Sequence, residues 1–243
     1  MRWNVIRQSW RSVLDTVVLL LVAAAAVAVL WRVATGPTVN GVATTASATE
    51  SAAQVALPSE PISLEGAAVL GDAKASVVLV EYSDFQCSFC AKFALEVLPR
   101  LEERYVKSGQ LLIAFRHFPI EKTHPLARRA AEVSVCAAKE GRFWPMHHLL
   151  FQRQRDLSNT VMSELAAGLG LDRARLEACR TAESKKVQDD MGSGRRLAVR
   201  GTPTIFLGHR DESSLVRVRA RISGAGPFER LDAIISDLLK KGN

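Results

Sequence analysis

The stretch VVLVEYSDFQCSFC, Val77 to Cys90, holds the reading of this chain, because it passes from one kind of periodicity to another. Val77-Val78-Leu79-Val80-Glu81-Tyr82 is a β-branched apolar run, the pattern of a central strand buried on both faces. Ser83 to Gln86 form a connecting turn. From Cys87 onward, Cys90, Phe93 or Ala94, Val97 or Leu98, Leu101 and Tyr105 fall on one helical face. Cys87 therefore sits at a helix start and Cys90 one turn inside. Cys-x-x-Cys by itself fits a zinc half-site, a structural disulfide or a redox centre, and its surroundings must decide.

Downstream, Pro99 falls within the helix, where it removes a hydrogen bond and predicts a kink. Leu111 to Phe115 reads as a second strand. Helices are predicted from Pro125 to about Lys139, Phe143 to Gln154, Val161 to Leu169, Asp172 to Ala182 and Glu183 to Leu197, with Gly168 and Gly170 as a stop signal. In Val199-Arg200-Gly201-Thr202-Pro203-Thr204-Ile205-Phe206-Leu207 a proline introduces a strand, a place where a missing N–H is tolerated. A strand from Leu215 to Ile222 and a helix from Phe228 to Lys240 follow, the latter with Leu231, Ile234, Ile235 and Leu238 on one face. The order of elements is that of an α/β fold with a helical insertion.

Upstream, Arg2, Arg7 and Arg11 precede an apolar segment, Val13 to Trp31, broken only by Asp15 and Thr16. As a helix it would span about 28 Å, close to a bilayer core. The arginine bias predicts a single-pass anchor over 13–31, with residues 1–12 cytoplasmic and the rest of the chain outside. A cleaved signal peptide is the competing reading; Trp31 and Arg32 at the boundary favour the uncleaved anchor. Residues 32–61, rich in Ala, Thr, Ser, Val and Gly, read as a flexible linker. Either reading puts the remainder in an oxidising compartment that permits disulfides. The net charge of +7 is spread along the chain without a nucleic-acid motif, and is read as solubility and topology.

The strand, the Cys-x-x-Cys at a helix start, the proline-bearing helix and the late Gly201-Thr202-Pro203-Thr204 together resemble the DsbA-like branch of the thioredoxin superfamily. The similarity runs from about Ile62 to Lys240 and is carried by VVLVEYSDFQCSFC, FRHFPI, GRFWPMHHLLF and VRGTPTIFL. It implies a thioredoxin fold over 62–243, with an inserted helical domain at about 126–196, and thiol-disulfide exchange.

In that setting a Cys87 thiolate faces the unsatisfied N–H groups at a helix start, which favour the anion. Cys87 is then the nucleophile that forms the mixed disulfide, and buried Cys90 resolves it. Ser88 and Phe89 sit at the positions that tune the pair and depart from the Pro-His of the best-known relatives. Pro203 matches the family's cis-proline, and Thr202 beside it would offer backbone groups to an extended substrate peptide. Glu81 matches a buried acid that relays protons, with surface salt-bridging as its plainer alternative. The resemblance also implies a structural disulfide between Cys136 and Cys179, closing a loop that would stabilise by about 4 kcal/mol; two separate buried thiols are the alternative.

His117, His124, His147, His148 and His209 could in principle join the cysteines on zinc, but no second close-spaced pair completes such a site, so neither metal nor cofactor is expected. Arg217, Arg219 and Arg221 alternate with apolar residues and are expected on one face of their strand, as a solvated or charged edge. The function expected is a membrane-tethered oxidase that gives the Cys87-Cys90 disulfide to exported polypeptides and is reoxidised by a DsbB-like quinone-linked membrane protein. The location is the bacterial cytoplasmic membrane, with the catalytic domain periplasmic or otherwise extracytoplasmic. A reductase or isomerase, for instance in cytochrome c maturation, and a non-catalytic tethered chaperone are the alternatives.

Overall fold

The computed structural model describes residues 56–241. The predicted anchor over 13–31 and nearly all of the linker lie outside the described residues. Among those described, no helix is long and apolar enough to cross a membrane.

Six strands form one mixed sheet: β1 Ile62–Ser63, β2 Ala68–Leu70, β3 Val77–Ser83, β4 Leu111–His117, β5 Thr204–Arg210 and β6 Leu215–Ser223, in the order β1-β6-β5-β3-β4-β2. Central β3 runs parallel to β4 and antiparallel to β5, and every residue of β3 is buried. This is what the unbroken apolar run of its sequence demands of a strand covered on both faces. The short β1 and β2, absent from the sequence expectation, span too few residues to show a period.

The helix after the Cys-x-x-Cys, α1 (residues 88–106), alternates α segments at Ser88–Lys92 and Leu98–Leu101 with π turns at Phe93–Val97 and Glu102–Val106. Pro99 lies at the second residue of the second α segment, just after a π turn, so the missing N–H falls where the hydrogen-bond ladder is already shifted. One sheet face, with Val77, Leu79, Leu111, Ile113, Ile205, Leu207 and Ile222, packs against α1 and the last helix, α6 (Phe228–Lys241). The opposite face, with Val78, Val80, Tyr82, Leu112, Ala114, Phe206, Val216 and Val218, packs against Ile62 and Val199.

Between β4 and β5 lie α2 (Ala127–Lys139), α3 (Phe143–Gln152), a 3-10 turn (Gln154–Asp156), α4 (Asn159–Gly168) and α5 (Arg173–Arg196). α5 is one helix of 24 residues, not the two expected with a break after Ala182. No proline or glycine interrupts the chain there, and Asp172 caps the start by accepting from Arg175 N. α5 is tied to the sheet through buried Asp190, which meets Arg116 at 2.8 Å and Lys186 at 2.6 Å. Gly194 lets this helix close on the sheet: a Cβ there would lie 2.7 Å from the Phe118 ring.

The three arginines of β6 do not share a face. A β-bulge at the β5–β6 pairing sets Leu207 opposite Ala220 but Gly208 opposite Val218, and the extra residue reverses the alternation. Arg221 therefore turns to the Val216 and Val218 side, where it donates to the carbonyls of Leu197 and Ala198 and lies 5.3 Å from the Phe206 ring centroid. Arg217, opposite His209, keeps the other face. Gly208 is required at this bulge, since a Cβ would fall 2.0 Å from the Arg217 carbonyl oxygen.

Candidate active site

Strand β3 ends at Ser83, and the next residues turn the chain into α1. Asp84 organises that turn: Oδ1 accepts from Gln86 N at 2.8 Å, while Oδ2 accepts from Ile120 N at 2.7 Å and contacts His124 Nδ1 at 2.8 Å. The first is an Asx turn, a local device for reversing the backbone without secondary structure. Cys87 follows in extended conformation at the N-cap, and its carbonyl accepts the first helical hydrogen bond, from Ala91 N at 3.0 Å.

The two thiols occupy unlike surroundings. Cys87 retains 7% exposure, while Cys90, one turn inside, has none. Cys87 Sγ lies 3.2 Å from the Thr202 carbonyl oxygen, to which the neutral thiol donates. Its pKa is pulled down to about 5, first by the hydrogen bond from the Cys90 thiol, then by Thr202 and by the backbone N–H groups of Cys90 and Phe89, against the opposing effect of burial. Burial pushes the Cys90 thiol well above the usual range, and the negative charges of Cys87 and Glu81 add to this. One sulfur is thus held ready to ionise and its neighbour is held protonated.

Thr202 and Pro203 are joined by a cis peptide bond and lie buried in front of Cys87. Phe89, by contrast, is 61% exposed, and Ser88 beside it is exposed too. Cys87 therefore sits just beneath the surface, next in the chain to exposed Ser88 and Phe89 and against the Thr202 backbone. Glu81 points into the same interior from β3, opposite Phe115 and Ile205. It is fully buried, and neither carboxylate oxygen has a hydrogen-bond partner. Loss of water raises its pKa to about 8; the nearby Ser83 hydroxyl, too far for a hydrogen bond, opposes this in part, and the charge of Cys87 adds a smaller push. The surface salt bridge considered for Glu81 is not formed.

Cys136 on α2 and Cys179 on α5 are joined by a disulfide with their Cα atoms 5.9 Å apart. His117 and His147 lie in an aromatic cluster with Phe85, Phe115, Phe143 and Phe151, fully buried, and burial lowers their pKa values to about 4 and about 3. Trp144 borders the cluster and donates its indole N–H to the Val69 carbonyl at 2.7 Å. Among the described residues no three of His, Cys, Asp or Glu gather as metal ligands.

Sequence reasoning missed the polar braces around the turn. Besides Asp84, the Gln86 side-chain oxygen accepts from Leu126 N at 2.6 Å. Gln154, in the 3-10 turn of the helical layer, donates to the carbonyls of Phe85 at 2.7 Å and Cys87 at 3.0 Å. Asp84 two residues before Gln86 in a turn is a local signal that could have been found. The partners of Gln154 are distant in sequence, and nothing local marks it.

The profile of the family described as thioredoxin matches residues 63–220. Over 168 residues the chain is 38% identical to a Na(+)/H(+) antiporter NhaA 1 of Mycolicibacterium gilvum, a match covering 65% of this chain and 27% of that protein. An NhaA 3 antiporter of Salinispora tropica is 33% identical over 58% of this chain and 22% of its own length. The chain thus spans about a quarter of the length of the curated relatives it matches. Among solved structures, alpha-DsbA1 of Wolbachia pipientis superposes with a TM-score of 0.66 at 24% identity, covering 74% of this chain and 94% of that one. BdbD of Bacillus subtilis superposes at 0.62 with 22% identity, covering 76% and 98%. These likenesses establish a shared fold.

Proposed function

The chain belongs to the thioredoxin family, and on that premise we propose that it is a thiol-disulfide oxidoreductase acting as an oxidase, with Cys87-Cys90 as the exchanged pair. The observation that carries this reading is the unlike placement of the two thiols, Cys87 at the helix N-cap beside Thr202 and Cys90 fully buried one turn inside, which pulls the Cys87 pKa down to about 5 and pushes that of Cys90 well above its usual value. Stabilising the Cys87 thiolate stabilises the reduced pair, and a disulfide whose reduced form is favoured is a strong oxidant.

Disulfide donation runs as two exchanges. A substrate thiolate attacks Cys87 Sγ, the Cys87–Cys90 bond breaks, and Cys90 leaves as a thiolate that takes a proton. Glu81, protonated at neutral pH because its pKa is raised to about 8, is the buried acid placed to supply it. A second substrate thiolate then attacks its partner sulfur in the mixed disulfide, and Cys87 departs as a thiolate. A low leaving-group pKa makes that step fast. The substrate loses two electrons, and the enzyme ends as the Cys87-Cys90 dithiol. Thr202 offers its backbone to the extended substrate, with Ser88 and Phe89 as the flanking contact.

The dithiol needs a reoxidant. By the same reading it is a DsbB-like, quinone-linked membrane protein, the substrates are exported cysteine-containing polypeptides, and segment 13–31 holds the domain at the extracytoplasmic face of the cytoplasmic membrane. The reoxidant is carried over from the family resemblance, while the tether and the exported substrates are supported by the apolar segment and its flanking arginines in the sequence. Oxidative refolding of a reduced, disulfide-dependent substrate by the full chain tests the activity. Turnover that disappears in Cys87→Ser supports it, and reduction of disulfides without net oxidation supports a reductase instead.

A further inference from the structure

Two contacts on the thiol pair come from outside the strand, turn and helix that carry it: Thr202 meets the Cys87 sulfur, and Gln154 meets the backbone. The Gln154 amide nitrogen has two hydrogens and meets two acceptors, the Phe85 carbonyl at 2.7 Å and the Cys87 carbonyl at 3.0 Å. Among the described residues, it is the one side chain that hydrogen-bonds the backbone of Cys87. Its own turn is well fixed: Phe151 and Leu157 are buried on either side, Arg153 pairs with Asp156 across it, and Phe151 packs 4.9 Å from the Phe85 ring.

We propose that Gln154 is a positioning residue for thiol exchange, holding the Cys87 peptide so that its sulfur stays at the start of α1 and beside Thr202. The inference rests on the redox reading above. The Cys87 carbonyl already accepts from Ala91 N, so Gln154 adds a second donor that fixes the plane of this peptide, not merely the helix. Cys87 has ψ 120 at the N-cap, outside the helical region, where the helix ladder alone leaves its orientation loosely determined. Rotation there would carry the sulfur away from Thr202 and from the N–H groups of Phe89 and Cys90. The amide also faces two carbonyl dipoles whose negative ends would otherwise oppose a nearby thiolate.

An amide is required at 154. Gln154→Met keeps the length but donates nothing. Gln154→Glu brings an ionised oxygen against two carbonyl oxygens and a negative charge toward the sulfur. The experiment measures the Cys87 pKa, from thiolate absorbance against pH, and the equilibrium constant with glutathione, in full chains carrying Gln154→Met, Gln154→Glu or, as a control, Arg155→Ala. The expected result is a rise of about one pH unit in Cys87 pKa for Gln154→Met, with an oxidising equilibrium weakened about tenfold, which corresponds to about 30 mV. A larger rise is expected for Gln154→Glu and none for Arg155→Ala. A folded Gln154→Met or Gln154→Glu with wild-type pKa and equilibrium constant overturns the inference. Should one variant fail to fold, the other carries the same test, and unfolding of both, beside a stable Arg155→Ala, also overturns it, because Gln154 is then needed for the fold and not for tuning. If the wild-type chain itself lacks a lowered Cys87 pKa, the redox reading fails first, and the two failures are told apart.

Discussion

Two pairs of cysteines belong to one hydrophobic cluster and stand in opposite states, one bonded and one free. Cys87, Cys90 and Cys136 are all buried in the same cluster, with Cys179 packed against it. Cys136 and Cys179 join two helices across 43 residues and are bonded. Cys87 and Cys90 are free thiols three residues apart at the start of one helix. Three of the four sulfurs are buried and Cys179 partly so, and burial alone therefore does not set the lowered pKa of Cys87. What differs is the set of groups around the sulfur: the Cys90 thiol first, then Thr202 and the backbone N–H groups, meet Cys87, while apolar helix faces surround the crosslink. A thiol is made reactive by what stabilises its anion, and a disulfide is made durable by what closes around it.

Breaking each pair should separate these roles. Cys87→Ser is expected to lower oxidative turnover by about a thousandfold or more, since the attacked sulfur is gone, while thermal unfolding changes little. Replacing Cys136 and Cys179 with Ser should do the reverse. Removing the loop closure costs about 4 kcal/mol in the chain-entropy model, so the unfolding midpoint in guanidinium should fall sharply, and the Cys87 pKa should stay where it is.

Acid attacks the core both pairs share. His117 and His147 are held neutral at about 4 and about 3, below the unfolded value near 6.5. A depressed histidine pKa leaves stability intact above about 6.5, and stability is lost as pH falls below it, because the unfolded chain then binds the proton first, at up to about 1.4 kcal/mol per pH unit for each histidine. Unfolding midpoints at pH 7 and pH 5 should differ accordingly, and His147→Phe should shrink the difference. The smallest effect expected is that of Glu81→Gln. Exchange should slow by up to about a hundredfold, and the break expected near pH 8 in the rate–pH profile from Glu81 should vanish. An unchanged profile would leave Glu81 as a bystander.

Much of this contrast was legible in the chain itself. The apolar run of β3 and the change of period at Cys87 placed the reactive pair at a strand-to-helix turn, because both signals are local. The break placed in α5 after Ala182 was wrong because weakly periodic polar sequence hides a helix held by distant contacts such as Asp190 with Arg116. The faces of Arg217, Arg219 and Arg221 were misjudged for a related reason: the bulge opposite Gly208 is set by strand pairing, which alternation along one strand cannot reveal. Gln154 and the Gln86 brace stayed hidden because their partners are backbone atoms far along the chain.

The central claim is that the surroundings of Cys87 make the Cys87-Cys90 disulfide an oxidant. Its reduction potential, from equilibration of the full chain with glutathione buffers, tests this most directly. The account predicts a value clearly above that of thioredoxin, near or higher than about −200 mV; a value at or below about −270 mV would contradict it.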